Sequence, residues 1–152
     1  MWRNWLGGAR DIYAALSSEG GKTFAAAQKL GSGTWMLNAC PMGGGGVAFN
    51  RAGQMLTTWR REKTVFACES ARSEQHLADS ALNPNVTGGK GGDYYLWEGA
   101  GALMLKKGAA KAVRLAAKAK FAAAAPLPNR GPVIVWESAA TSTSTLLAEV
   151  VD

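Results

Sequence analysis

Eight of the seventeen basic residues fall between Lys90 and Arg130: Lys90, Lys106, Lys107, Lys111, Arg114, Lys118, Lys120 and Arg130. A basic stripe of this kind can bind nucleic acid or anionic sugars. No nucleic-acid motif accompanies it, so nucleic acid is not expected as a partner, and a solvated face is the simpler reading. Gly20-Gly21-Lys22-Thr23 ends like a P-loop, but that loop needs a glycine at position 16, where Leu16 stands. The run Gly43–Gly46 could cradle a phosphate, yet no helix start follows it. Cys40 and Cys68 have no metal-site spacing and make no disulfide framework, and His76 is the one histidine. Neither a metal nor a cofactor is expected.

These residues belong to a chain of 152 residues with a net charge of +6, 47% hydrophobic and 18% charged, the composition of a foldable domain. No apolar run reaches the ~18 residues of a membrane helix, and the N-terminus has no apolar signal region. The expectation is a soluble chain without a membrane partner, its compartment left open.

The main organising signal is a repeat. Trp59, Trp97 and Trp136 sit in similar β-rich segments, 38 and 39 residues apart. A second apolar run follows each: Thr64–Cys68, Ala102–Leu105 and Thr145–Ala148. Weaker strands end in Gln75-His76-Leu77 and Val113-Arg114-Leu115, again 38 residues apart. Before Trp59, Gly46–Phe49 leads into the turn Asn50-Arg51-Ala52-Gly53. Trp2-Arg3, Asp11–Leu16 and Ala27–Leu30 fit the same register. A period near 40 with four strands per unit points to propeller blades. The expected fold is all-β, about half of a six-bladed β-propeller, or roughly three blades of four-stranded antiparallel sheet. Its fragments fall at about 1–30, 46–78, 86–116 and 121–152, ordered as three strands, two full blades and three strands. Ala109–Ala125 is helical by propensity, but the repeat demands strand, connection, strand there.

One segment carries a family pattern. Ser17-Ser18-Glu19-Gly20-Gly21-Lys22-Thr23-Phe24 resembles the Asp-box, Ser-x-Asp-x-Gly-x-Thr-Trp/Phe, through Ser17, Gly21, Thr23 and Phe24, with Glu19 in the place of Asp. The expected turn has the carboxylate folded onto backbone N–H groups, Gly supplying a positive φ and the aromatic pinning the turn to its blade. Glu19, one methylene longer, makes that bond less well. Trp35–Met42 with the glycine run and Val47-Ala48-Phe49, and Asn4–Ser17 with Arg10-Asp11, resemble the same proteins. On these residues the chain, from Arg3 to Glu69 above all, resembles sialidase-like (bacterial-neuraminidase, Asp-box repeat) β-propeller proteins.

The resemblance implies a glycoside hydrolase ancestry. Family sialidases bind a carboxylate with an arginine triad and use an Asp acid/base and a Tyr–Glu nucleophile. The family's Arg-Ile-Pro motif is absent, no Tyr–Glu pair can be placed, and Tyr94-Tyr95 point to opposite faces of one strand. Candidates for a remnant of the site are Arg3, Arg10, Asp11, Arg60, Arg61 and Glu62, although Arg60-Arg61-Glu62 also reads as a polar strand end. Ser17, Glu19, Gly21, Thr23 and Phe24 are structural, since such boxes lie on the rim. The expectation is a propeller fragment, non-catalytic alone, that closes a six-bladed wheel by pairing head to tail with a second copy. The alternatives are an exo-sialidase whose site forms only in the closed oligomer, and a module that binds acidic glycans through the basic stripe.

Overall fold

The computed structural model describes residues 1–70, 74–138 and 143–152. Among these residues there is no helix, and fourteen strands form four antiparallel sheets. The first sheet holds β1 (Trp2–Arg3), β2 (Ile12–Ala14) and β3 (Gln28–Lys29). The second holds β4 (Gly45–Phe49), β5 (Met55–Arg61), β6 (Thr64–Glu69) and β7 (Gln75–Ala78). The third holds β8 (Ala81–Gly89), β9 (Gly92–Gly99), β10 (Ala102–Lys107) and β11 (Val113–Ala117). The fourth holds β12 (Ala119–Ala125), β13 (Val133–Ser138) and β14 (Thr145–Val150). Every sheet is a simple meander, each strand pairing with its neighbour in sequence.

The sequence period is written into the backbone. Positive φ angles recur 38 residues apart at Gly53, Gly91 and Asn129, where the first strand of the second, third and fourth sheets turns into its second. They recur at the same interval in the next turn (Glu62 and Ala100), between sheets (Ser80 and Lys118), and inside the bulged first strands (Asn83 and Phe121). Left-handed φ is uncommon at non-glycine residues, so its recurrence at matched positions marks one unit built twice. The bulges recur as well, Leu82/Asn85 against Lys120/Ala123 and Val65/Phe66 against Leu103/Met104. Pro84, which has no N–H to donate, falls within the first of these bulges, where a strand tolerates it.

Within Ala109–Ala125, Val113–Ala117 forms β11 and Ala119–Ala125 forms β12, with the single residue Lys118 between them. Packing overrides its helical propensity, because Leu115, Ala116, Ala122 and Ala124 join the core between the third and fourth sheets. Small residues suit this position, since the first strands β4, β8 and β12 run side by side. A Cβ on Gly46 would stand 2.9 Å from the Val86 nitrogen, and one on Gly88 would stand 2.8 Å from the Asn50 Cα. Gly46 and Gly88 thus serve close contact between two backbones.

Each sheet packs face to face on the next. Ile12, Ala14 and Leu30 meet Met55, Trp59 and Cys68. Leu56, Val65 and Ala67 meet Val86, Tyr95 and Trp97. Tyr94, Leu96, Leu103 and Leu105 meet Ala119, Ile134 and Trp136. Tyr94 and Tyr95 lie in different cores, as strand alternation requires.

Candidate functional site

The turn at Ser17–Phe24 joins β2 to β3. Ser17 Oγ accepts hydrogen bonds from the backbone N–H of Glu19 (3.2 Å) and of Gly21 (2.8 Å). Glu19 does not fold onto the backbone; its Oε2 accepts a 3.0 Å bond from the Thr23 hydroxyl. The extra methylene carries the carboxylate past the N–H groups an Asp would reach, and the serine takes over that role. Gly20 and Gly21 supply φ angles of 63° and 88°. Phe24 departs from expectation: it is 64% exposed and pins nothing. It faces an open groove of about 520 Å³ shared with Leu16 and Phe49.

The arginines gather at the opposite end of β2, because Arg10-Asp11 precedes the strand and the turn follows it. Arg3, at the end of β1, donates to the Arg10 carbonyl (2.8 Å) and to the Arg60 carbonyl (2.7 Å). It therefore clips the first sheet to the second, with its guanidinium over the Trp35 ring at 5.4 Å. Burial pushes the Arg3 guanidinium below its usual value; Asp11 pulls it back up, and Arg60 and Arg10 push it further down. Arg10 lies over the Trp5 ring at 4.7 Å and donates a long bond to the Leu37 carbonyl (3.4 Å).

Asp11 is ion-paired and hydrogen-bonded. Lys29 Nζ lies 2.7 Å from its Oδ2, and the Thr34 hydroxyl and the Trp35 N–H each donate to it at 3.3 Å. Arg61 is committed as well: its two terminal nitrogens bind both oxygens of Glu74 at 2.6 and 2.7 Å, and its guanidinium covers the Phe66 ring at 4.0 Å. The hydrogen bonds to Glu74 are the largest cause holding the Arg61 guanidinium above its usual value. A Cβ on Gly33 would overlap this guanidinium.

The structure therefore brings Arg3, Arg10, Asp11 and Arg61 around one small space of about 10 Å³, room for a single water. Arg60 does not join them. Its side chain leaves the face of β5 that carries Leu56 and Thr58, opposite Trp59 and Arg61. There its Nε is buried with no hydrogen-bond partner among the described residues. Glu62 lies in the exposed turn between β5 and β6, with φ at 56°. The expected remnant is thus a set of structural contacts around a narrow cleft, in which Arg3 and Arg10 are the cations with no carboxylate bonded among the described residues.

Two carboxylates escaped the sequence reading. Glu74 lies just before β7, across β6 from Arg61, a contact no spacing announces. Glu98 had a signal: it follows Trp97 as Arg60 follows Trp59 and Arg3 follows Trp2. Its Oε1 accepts from Asn83 Nδ2 (2.8 Å) and from the Phe121 N–H of the fourth sheet (2.7 Å). The basic stripe is divided. Lys90, Lys107 and Arg130 lie at the end of the sheets that carries the Asp-box-like turn, and Arg130 is bonded to Asp152 at 3.0 Å. Lys118 and Lys120 lie at the other end, around a groove they share with Glu98. No group of three or more His, Cys, Asp or Glu that could hold a metal occurs among the described residues. Comparison with protein-family models, curated proteins and solved structures returned no match.

Proposed function

We propose that this chain is part of a sialidase-like, Asp-box β-propeller, non-catalytic alone, and that it closes a wheel with a second copy of itself. The observation that carries the reading is the backbone repeat: left-handed residues and bulges at 38-residue intervals in sheets whose first strands lie side by side. The meander order of each sheet, and the turn at Ser17–Phe24 placed away from the arginines, add to it. Each copy brings four sheets, so the ring we envisage has eight, in place of the six anticipated from the sequence. Known propellers use ~4–8 blades.

The disposition of charges supports the reading of a chain that is non-catalytic alone. Sialidase chemistry would need a free acid/base carboxyl group and a Tyr–Glu nucleophile beside the arginines. Asp11 is held by Lys29, Glu74 by Arg61, and Glu62 stands in an exposed turn. The groove of about 620 Å³ beside β4, β8 and β12 is lined by Val47, Asn85, Thr87, Ala124 and similar residues, with no carboxylate. The test is turnover of a fluorogenic sialoside at concentrations where the chain is associated. We expect none. Turnover that disappears in Arg10→Ala would overturn this reading in favour of an exo-sialidase formed in the oligomer. A second reading, binding of acidic glycans, draws on Arg3 and Arg10 resting on Trp35 and Trp5, a cationic and aromatic surface suited to an acidic sugar. Glycan-array binding that weakens with salt and is lost in Arg10→Ala would support it; absent or salt-insensitive binding would remove it.

A further inference from the structure

We infer that the outward face of the fourth sheet docks onto the Trp2–Tyr13 face of the first sheet of a second copy; this rests on the self-association proposed above and names its surfaces. Every internal interface is built alike. Trp59, Trp97 and Trp136 each point back toward the preceding sheet, and each sheet's other face is an apolar bed for the tryptophan face of the next. The two end faces of the stack are the two halves of such an interface.

On the first sheet, Trp2 pairs with Tyr13 in register, and their rings stack at 6.2 Å. Both lie on the side away from Ile12 and Ala14, which are buried against the second sheet. Trp2 thus holds the backward-facing position of Trp59, yet it is 43% exposed. On the fourth sheet, Val135 pairs with Ala123 and with Ala148, and Glu137 pairs with Leu146, all on the side away from Ile134 and Trp136. One sheet earlier, the matching face carries Leu96, Leu103 and Leu105, all buried against the fourth sheet. Here Leu146 is 75% exposed, Phe121 67% and Val135 37%. A scatter of single apolar residues on a surface needs no explanation, but a contiguous face does.

Charge agrees with this pairing. Glu137 occupies the place of Glu98, the carboxylate that reaches from the third sheet to the Phe121 N–H of the next. At the same end, Lys29 of the first sheet is paired with Asp11, and Arg10 is a cation with no carboxylate bonded to it among the described residues. An acidic residue at one end face and the cation Arg10 near the other favour joining unlike ends over like ends. The contact is heterologous: one copy's head meets the other's tail, and a closed pair uses both.

The experiment is mass by light scattering across a concentration series, with circular dichroism to show that each variant folds. The wild-type chain should have the mass of two copies. Val135→Glu alone and Trp2→Glu alone should each raise the dissociation constant by about tenfold or more, as a charge set into an apolar contact does. Leu146→Glu, at the most exposed of these positions, serves if Val135→Glu does not fold. An equimolar mixture of Val135→Glu and Trp2→Glu should pair better than either variant alone, because one intact head still meets one intact tail. A monomeric wild type overturns the inference, as does a mixture that pairs no better than its components, which would mean like faces meeting. Growth of the wild type beyond two copies would leave the docking faces standing and remove the closed wheel.

Discussion

Replacing Arg61 should cost this protein stability rather than an activity, and the size of the loss follows from its surroundings. The Arg61–Glu74 pair is bidentate, and its side chains are only 18% and 11% exposed. Removing one partner of a buried pair costs about 3–5 kcal/mol, because the other charge stays buried and unpaired. The residual exposure places Arg61→Ala near the lower end, about 3 kcal/mol, including lost packing on Phe66. For a domain of this size that is roughly 6–12 °C in melting temperature. The double variant Arg61→Met/Glu74→Leu removes both charges and keeps volume, so it should fall within about 1 kcal/mol of the wild type. Urea denaturation measures all the terms needed, provided the slope stays constant across the set. If Arg61→Ala cost less than about 1 kcal/mol, or if the two single losses simply added in the double variant, the pair would not be structural. Arg61 would then be available to a ligand after all.

Gly33→Ala sets a methyl against the Arg61 guanidinium and should destabilise by about 1–3 kcal/mol, read by the same denaturation assay. Ser17→Ala removes the acceptor of two backbone N–H groups in an exposed turn; a loss of about 1 kcal/mol and faster proteolysis at the turn are expected. Burial pushes the Tyr95 phenol up to about 12 from 10.0, with the charges of Asp93 and Glu69 adding to the effect. Because the folded value exceeds the unfolded one, this contribution is complete below pH 10 and is lost as pH rises to about 12. Denaturation midpoints measured through that window should fall, and the fall should be smaller in Tyr95→Phe.

The strand order was legible because a repeat checks itself. No single segment distinguishes a strand from a buried helix, least of all Ala109–Ala125, but a 38-residue interval fixes where each strand must recur. The site was less legible for a physical reason. Grouping Arg60 with Arg61 ignores the alternation of side chains along a strand, which sends one arginine to each face of β5 and splits the expected cluster. The partner of Arg61 could not be read at all, since Glu74 arrives through the pairing of β6 with β7. In the Asp-box-like turn, residue types pointed to the turn but not to its bonding. Glu19 changed partner from backbone to Thr23, and Phe24, beside Leu16 and Phe49 in an open groove, stayed exposed.

Arg3, Arg60, Glu98 and Glu137 all follow a tryptophan and hold equivalent places in four successive sheets. Each points to the face that meets, or would meet, the next sheet. Arg3 crosses to the Arg60 carbonyl and Glu98 to the Phe121 N–H, so the position acts as a tie between neighbouring sheets whatever the sign of its charge. A tie can donate to a carbonyl or accept from an N–H, which explains why arginine and glutamate are both found in one structural role. Arg60, whose Nε has no hydrogen-bond partner among the described residues, and Glu137, bonded to Ser144 of its own sheet, are the two that bridge to no following sheet. Glu137 stands on the face proposed to meet a second copy. Arg3, an arginine that a sialidase-like reading would reserve for a carboxylate, is therefore better understood as one of these ties, while Arg60 holds the equivalent place without a bond to the next sheet among the described residues.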